Sequence, residues 1–489
     1  MKSAALRRIS LTLAAILAVG QLAACGSTAT PDNTGNSDTT AADAETTSAE
    51  PVETERADIK DNLPDKDLGG ASYTILARTG FEYEISAESE NGDVLNDAVY
   101  KRNTTVEDRF NVKIKPVYQD QGNFNQHLRS SVMSNTGAYD LVAGYAYQIT
   151  PMILDDIFVN WYDVKHIDLT QPWWSKQVAD ELTVNKTCYT LSGDLTVSLW
   201  RYFFVFLFNK RLAEEYKIGD LYAIVRDGDW TLDKLSELTA NTYRDLDGDA
   251  TQTMKDAYGM IASNTTPVDA FMDAFQIKVT TKNSKGIPEF SLNTQKTVDV
   301  LERLNQFAFA EGNAMITDQH ADVKVAFREG RALFYATPMT NVVGFRDMDD
   351  DFGILPYPKL DAEQENYYST AMDNFSFLLM PVDVKNMDNA GLITEALAAE
   401  SYRSVIPAFY DTVLKTKVSR DDDSAEMLDI VRDNLIFNLG YSFSNVLGGT
   451  GHLFQETFKG GGTSISGPWE SRQDVFQTNL DELLKHFGN

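Results

Sequence analysis

The chain has 489 residues, with 72 acidic and 43 basic side chains and a formal charge of −29. A surface this acidic is repelled by nucleic acid and by anionic lipid, which excludes both as partners of the body. Two cysteines, and five histidines (His127, His166, His320, His452, His486) without H-x-x-H or H-E-x-x-H spacing, exclude a thiolate zinc cluster and give no sign of a transition-metal enzyme.

The chain opens with a basic front at Lys2, Arg7 and Arg8, then an apolar run from Leu11 to Leu22. That run is short for a membrane span and reads as a secretory signal, residues 1–24. It ends in Leu22-Ala23-Ala24-Cys25, which resembles the lipobox of bacterial lipoproteins. On that resemblance Cys25 becomes an acylated N-terminus, and at about 0.8 kcal/mol per buried methylene several acyl chains make a stable anchor. Loss of the three basic residues takes the formal charge from −29 to −32, and leaves Cys188 without a disulfide partner. Residues 25–69 are rich in Thr, Ser, Ala, Asp and Glu, and lack aromatic residues. Such a segment buries too little apolar surface to offset the entropy of ordering and is expected to be a disordered tether reaching roughly 35 Å.

The body, roughly 415 residues, is more than one core normally serves and predicts two lobes. Strands are expected at Ser72–Ala77, Asn111–Tyr118 and Tyr139–Tyr145, with helices at 93–111 and 123–135 between them. This βαβαβ order predicts a mainly parallel sheet flanked by helices, with ligands bound beyond the carboxyl ends of the strands. Glu82 and Tyr83 follow the first strand, and Gly144, Tyr145 and Tyr147 follow the third. Trp173-Trp174 lies in a polar loop after Pro172; adjacent side chains of an extended chain point oppositely, so at most one can lie flat on a ligand. Asp194 precedes Trp200 by six residues in "SGDLTVSLWRY". An indole face packs against the C–H face of a sugar while a carboxylate accepts its hydroxyls, and this pair suits that use.

A strand is expected at Tyr202–Phe208, and then a helix N-capped by Thr231. The next loop, "DLDGDATQTMKD", places Asp245, Asp247, Asp249 and Asp256 at positions 1, 3, 5 and 12, with Thr251 at position 7. That is the ligand spacing of an EF-hand calcium loop, although Ala250 stands where glycine is normally required and position 12 is aspartate, not glutamate. A structural calcium ion is the expectation; no other cofactor is implied. A helix pair, a strand at Ala332–Ala336 and a strand in "NFSFLLMP" follow, and the end is mostly helical. Met339 lies just past a strand, Asp373 just before one, and Trp469 in a Gly/Ser-rich loop; all three are candidate solute contacts. There is no G-x-S-x-G, P-loop or G-x-G-x-x-G in the right context, so no catalytic residues are assigned.

Four features together resemble the extracellular solute-binding lipoproteins of ABC importers, the family that includes the maltose-binding proteins. They are the lipobox and tether; "GD…FFVFLFNKRLAEEY"; the W-T-x-x-x-L helix leading to D-x-D-G-D and Tyr-Gly; and "EGRALFYATPM…GILPYPK". The resemblance covers residues 70 to 489 and implies two α/β lobes joined by a hinge, residues 70–165 with 350–385 and residues 166–349 with 386–489. It implies a monomeric, lipid-anchored receptor outside the cytoplasmic membrane that captures a carbohydrate and delivers it to permease subunits. The calcium loop would be structural. Peptides and polyamines are alternative solutes, and a glycan-degrading enzyme of the cell surface is the alternative from another class.

Overall fold

The structure, a computed structural model, describes residues 56–418 and 421–488. The signal sequence, Cys25 and the tether as far as residue 55 lie outside the described residues; residues 56–69, expected to be disordered, instead pack on the first core through Ile59, Leu63 and Leu68, and Asp61 pairs with Arg109 at 2.6 Å. Among the described residues eleven strands form two sheets and a hairpin: β1 Ala71–Arg78, β2 Val112–Gln119, β3 Leu141–Tyr145, β4 Phe204–Asn209, β5 Tyr258–Ser263, β6 Thr280–Lys282, β7 Pro288–Phe290, β8 Ala314–Thr317, β9 Ala332–Pro338, β10 Phe352–Leu355 and β11 Ser376–Leu379.

The first sheet runs β2-β1-β3-β11, parallel except for β11, which pairs antiparallel with β3. The crossovers are the helices Val94–Phe110, N-capped by Asp93, and Gln121–Met133. The second sheet runs β10-β4-β9-β5-β8; β9, β5 and β8 are parallel, while β4 is antiparallel to both its neighbours. Every residue of β4 and β9 is buried, as expected of strands covered on both faces. Around the second sheet the core is largely aromatic: Phe206 meets Trp230, Phe271 and Tyr357 edge-on at centroid separations of 5.8, 5.8 and 4.8 Å. Among the described residues no helix is long and apolar enough to cross a membrane.

The two sheets are the expected two lobes, but their boundaries differ from the sequence reading. β10 belongs to the second sheet and β11 to the first, so the segment 350–385 is divided and the chain crosses between Leu355 and Ser376. The helix Met387–Glu400, expected in the second lobe, packs in the core of the first, where the Tyr73 and Thr394 hydroxyls are 2.6 Å apart. Ten of its fourteen residues are buried. A helix apolar nearly all round has no solvent face to orient it, so sequence pattern alone does not reveal which lobe it joins. Trp161, Trp173 and Leu191 also lie in the first core.

Candidate functional site

Topology brings several loops to one edge of the two sheets. β1 and β3 are parallel, so the loops after both emerge on the same side; β11 runs the opposite way, so the residues before it arrive there too. In the second sheet the same argument joins the residues after β5 and β9 with those before β4.

From the first lobe, Phe81 and Tyr83 follow β1, with ring centroids 5.7 Å apart, and Tyr145 ends β3 with Tyr147 just past it, 6.1 Å apart. Tyr202, just before β4, stacks on Phe81 at 6.3 Å. Two arginines brace these rings. The Arg78 guanidinium lies 3.5 Å from the Phe81 centroid and 5.1 Å from that of Tyr145, and Arg201 lies 4.2 Å from that of Tyr83. Arg78 is almost wholly buried; its Nη2 donates to the Asn374 carbonyl at 2.9 Å and to Ser376 Oγ at 3.1 Å, tying β1 to the start of β11. Glu84 beside it accepts from Ser376 Oγ (2.5 Å) and from the Ser198 N–H (2.9 Å). These partners account for a charge that would otherwise be costly to bury.

The facing wall is acidic. Asp269 lies on the helix Thr266–Ala274 that follows β5, and its Oδ2 accepts from Gln455 Nε2 (2.6 Å) and from the Tyr441 hydroxyl (3.2 Å). His452 Nδ1 stands 3.2 Å from the same oxygen, and Nε2 stands 4.0 Å from Asp373 Oδ2. The His452 ring also packs on Tyr147, centroids 5.5 Å apart, and Asn445 Nδ2 donates to the Tyr147 carbonyl at 3.2 Å, so the two walls touch. Burial pushes Asp373 up to about 6 against the pull of His452, and pushes Asp269 upward against its hydrogen bond with His452. Burial pushes Asp273, one turn on from Asp269, up to about 8, with Thr370 opposing. For His452 burial acts downward, but the hydrogen bond with Asp269 and the charges of Asp269, Asp373 and Glu456 outweigh it and the net shift is upward. The cluster therefore offers acceptors, a shared imidazole and tyrosine hydroxyls beside aromatic faces.

Of the residues singled out in the sequence, Tyr83, Tyr145 and Asp373 stand in this cleft. Glu82 lies in the same loop, where its Oε1 accepts from the Gly80 N–H at 3.0 Å. Four others are corrected. Both Trp173 and Trp174 are buried in the first core, and each indole N–H donates at 2.9 Å to one oxygen of Glu395, so neither lines this cleft. Met339 is 1% exposed in the core, and Trp469 is packed between Phe290 and Phe476, each 5.3 Å away. Asp194 and Trp200 do come together, but around a different cavity, described below. Phe81, Tyr202, Asp269, Tyr441, His452 and Gln455 were missed. Phe81 could have been found as a neighbour of Glu82 at a strand end; the others carry no local signal.

The acidic loop is partly as its spacing predicts. Asp245, Asp247 and Asp249 bring one oxygen each within 4.8 Å of one another, whereas Asp256 is not in the group. Asp256 is fully buried and accepts from the Leu246 N–H (3.1 Å) and the Thr253 N–H (2.9 Å), which corrects its expected role as a ligand. The Thr251 N–H donates to Asp249 Oδ1 at 2.7 Å. Ala250 adopts φ +58°, the left-handed conformation that glycine would supply at that position.

The fold is that of the two-lobed solute-binding proteins of ABC transporters. A cyclo/maltodextrin-binding protein complexed with maltotetraose has a TM-score of 0.56 at 12% identity, over 86% of this chain and 97% of its own. The galacto-N-biose/lacto-N-biose I-binding protein of Bifidobacterium longum has 0.55 at 12%, over 86% and 99%. The GacH receptor of Streptomyces glaucescens, solved with acarbose, has 0.52 at 12%, over 86% and 99%. These similar structures are binding proteins. No family model and no curated protein sequence matches the chain.

Proposed function

We propose that the protein is a receptor that captures a carbohydrate between its two lobes and delivers it to the permease subunits of an ABC importer, without catalysing a reaction. The observation that carries this reading is the meeting of aromatic faces (Phe81, Tyr83, Tyr145, Tyr147, Tyr202) with acceptors (Asp269, Asp373) at one edge of both sheets. Ring faces suit the C–H surface of a sugar, and carboxylates accept its hydroxyls in pairs. The sugar ligands of the similar structures agree with it. The lipobox supports an acyl anchor at Cys25 on the outer face of the cytoplasmic membrane, with the acidic tether as spacer and the receptor acting as a monomer.

The same reading assigns Asp245, Asp247 and Asp249 to a calcium ion that staples their loop. The loop precedes β5 and the cleft follows it, so the ion would sit at the opposite end of that strand from the solute. Calcium added after chelation is expected to raise the melting temperature without changing solute affinity; no change in melting overturns the site.

A thermal-shift screen of mono- and oligosaccharides, peptides and amines tests the main reading. A bound ligand at 100 times its Kd adds about 2.7 kcal/mol. A shift with a sugar supports carbohydrate capture. A shift with only a peptide or an amine overturns it, as does turnover of a glycan.

A further inference from the structure

Asp194 and Trp200 line a cavity of about 380 Å³ with Arg56, Trp174, Tyr402 and Arg432. This is the size of small-molecule sites, and its walls are aromatic with a few converging polar groups. It is separate from the cleft. Arg201 and Trp200 are successive residues of the short helix Val197–Arg201, about 100° apart around its axis. Arg201 stacks on Tyr83 in the cleft, while Trp200 packs edge-on against Tyr410 at 6.3 Å. The cavity also spans both lobes: Trp174 lies in the first core, and Arg432 lies on the helix Asp422–Asp433 that packs on β10.

Three of its polar groups have unused capacity. Asp194 is 5% exposed, and burial pushes its carboxyl up to about 7 against the charge of Arg56 and the nearby Trp200 indole. The Trp200 Nε1 atom is buried without a hydrogen bond of ordinary geometry. Arg56 lies 4.7 Å over the Tyr402 ring and donates to the Tyr402 carbonyl at 3.4 Å, and no carboxylate pairs with it among the described residues. A buried acceptor, a buried donor and a guanidinium bonded to no carboxylate among the described residues, around one cavity, define a complementary ligand.

We propose that this cavity is a second small-molecule site, which takes a small hydroxy-carboxylate of the sugar-acid type. The ligand carboxylate meets Arg56, a ligand hydroxyl donates to Asp194, and the Trp200 N–H donates to a ligand oxygen. Because the walls belong to both lobes, occupancy couples to lobe rotation, and the coupling is reciprocal with solute binding. The proposal holds whichever solute class the cleft takes.

The test is a thermal-shift and calorimetric titration of the full chain with D-glucuronate, with D-glucose as the neutral control. Glucuronate is expected to stabilise the wild type and the cleft variant Tyr147→Ala alike, and to bind Arg56→Gln and Asp194→Asn at least tenfold more weakly. Arg56→Gln removes a half-buried side chain near the start of the described chain and keeps the test decisive if Asp194→Asn folds poorly. The proposal is overturned if glucuronate leaves the wild type unchanged, if Tyr147→Ala abolishes the effect, or if Arg56→Gln leaves the affinity unaltered. It is also overturned if glucose binds equally well, since the carboxylate then has no role.

Discussion

At Glu395 two indole N–H groups from adjacent residues converge on the two oxygens of one buried carboxyl. The backbone here is a turn closed by the Trp174 N–H on the Gln171 carbonyl at 3.2 Å, not the expected extended chain, so both indoles reach one partner, which the helix Met387–Glu400 supplies. Glu395→Ala leaves two buried donors unpaired, at about 1–3 kcal/mol each, and is expected to destabilise the protein by about 3 kcal/mol or more in urea. Trp173→Phe removes one donor with most of its packing intact and should cost less. Asp273 gives a pH signature. Its carboxyl stands near 3.8 when unfolded and about 8 when folded, so between these values the folded state holds a proton that the unfolded state has lost. Its contribution to stability is full below the unfolded value and is lost as the pH rises through the folded one. The melting temperature should therefore fall from pH 4 to 8 through this group, and Asp273→Asn should flatten that slope; an unchanged slope refutes the assignment.

Among the elements, the loop 245–256 divides the roles that its spacing assigns to one site. Asp256 ties the loop from within through two backbone N–H groups, while Asp245, Asp247 and Asp249 remain exposed at its turn. Asp256→Ala is expected to lower the melting point more than Ala at any of the other three in the absence of added cation. Ala250→Gly should raise stability by about 1 kcal/mol, since a side chain at φ +58° is disfavoured by that order. The strands β1 to β4, β9 and β11 could be read from the chain because buried strands are continuous apolar runs, whereas β5 to β8 and β10 were not found. Strand ends led to Tyr83, Tyr145 and Asp373 for the same reason: the position follows from the period. Tryptophan misled, because Trp173 and Trp174 look like sugar platforms until Glu395 is placed beside them from more than two hundred residues away. Asp269, Tyr441 and His452 were illegible, since each comes from a different segment and acquires meaning only where the segments meet.

For the whole molecule, the decisive property is closure. His452 holds Asp269 in its own lobe and meets Tyr147 and Asp373 across the cleft, and Asn445 adds a bond to the Tyr147 carbonyl. On the receptor reading proposed above, these contacts are expected to favour the closed arrangement before any solute arrives. The apparent affinity of a receptor scales with the fraction of molecules already competent to bind. His452→Ala is therefore expected to enlarge the radius of gyration of the solute-free protein in small-angle scattering and to weaken solute binding by about tenfold for each 1.4 kcal/mol of clasp removed. Saturating solute should restore the wild-type radius, because the ligand then supplies the closing energy. A weakened affinity with an unchanged solute-free radius would instead place His452 directly on the solute. An unchanged affinity with an enlarged radius would break the link between closure and capture on which the receptor reading depends.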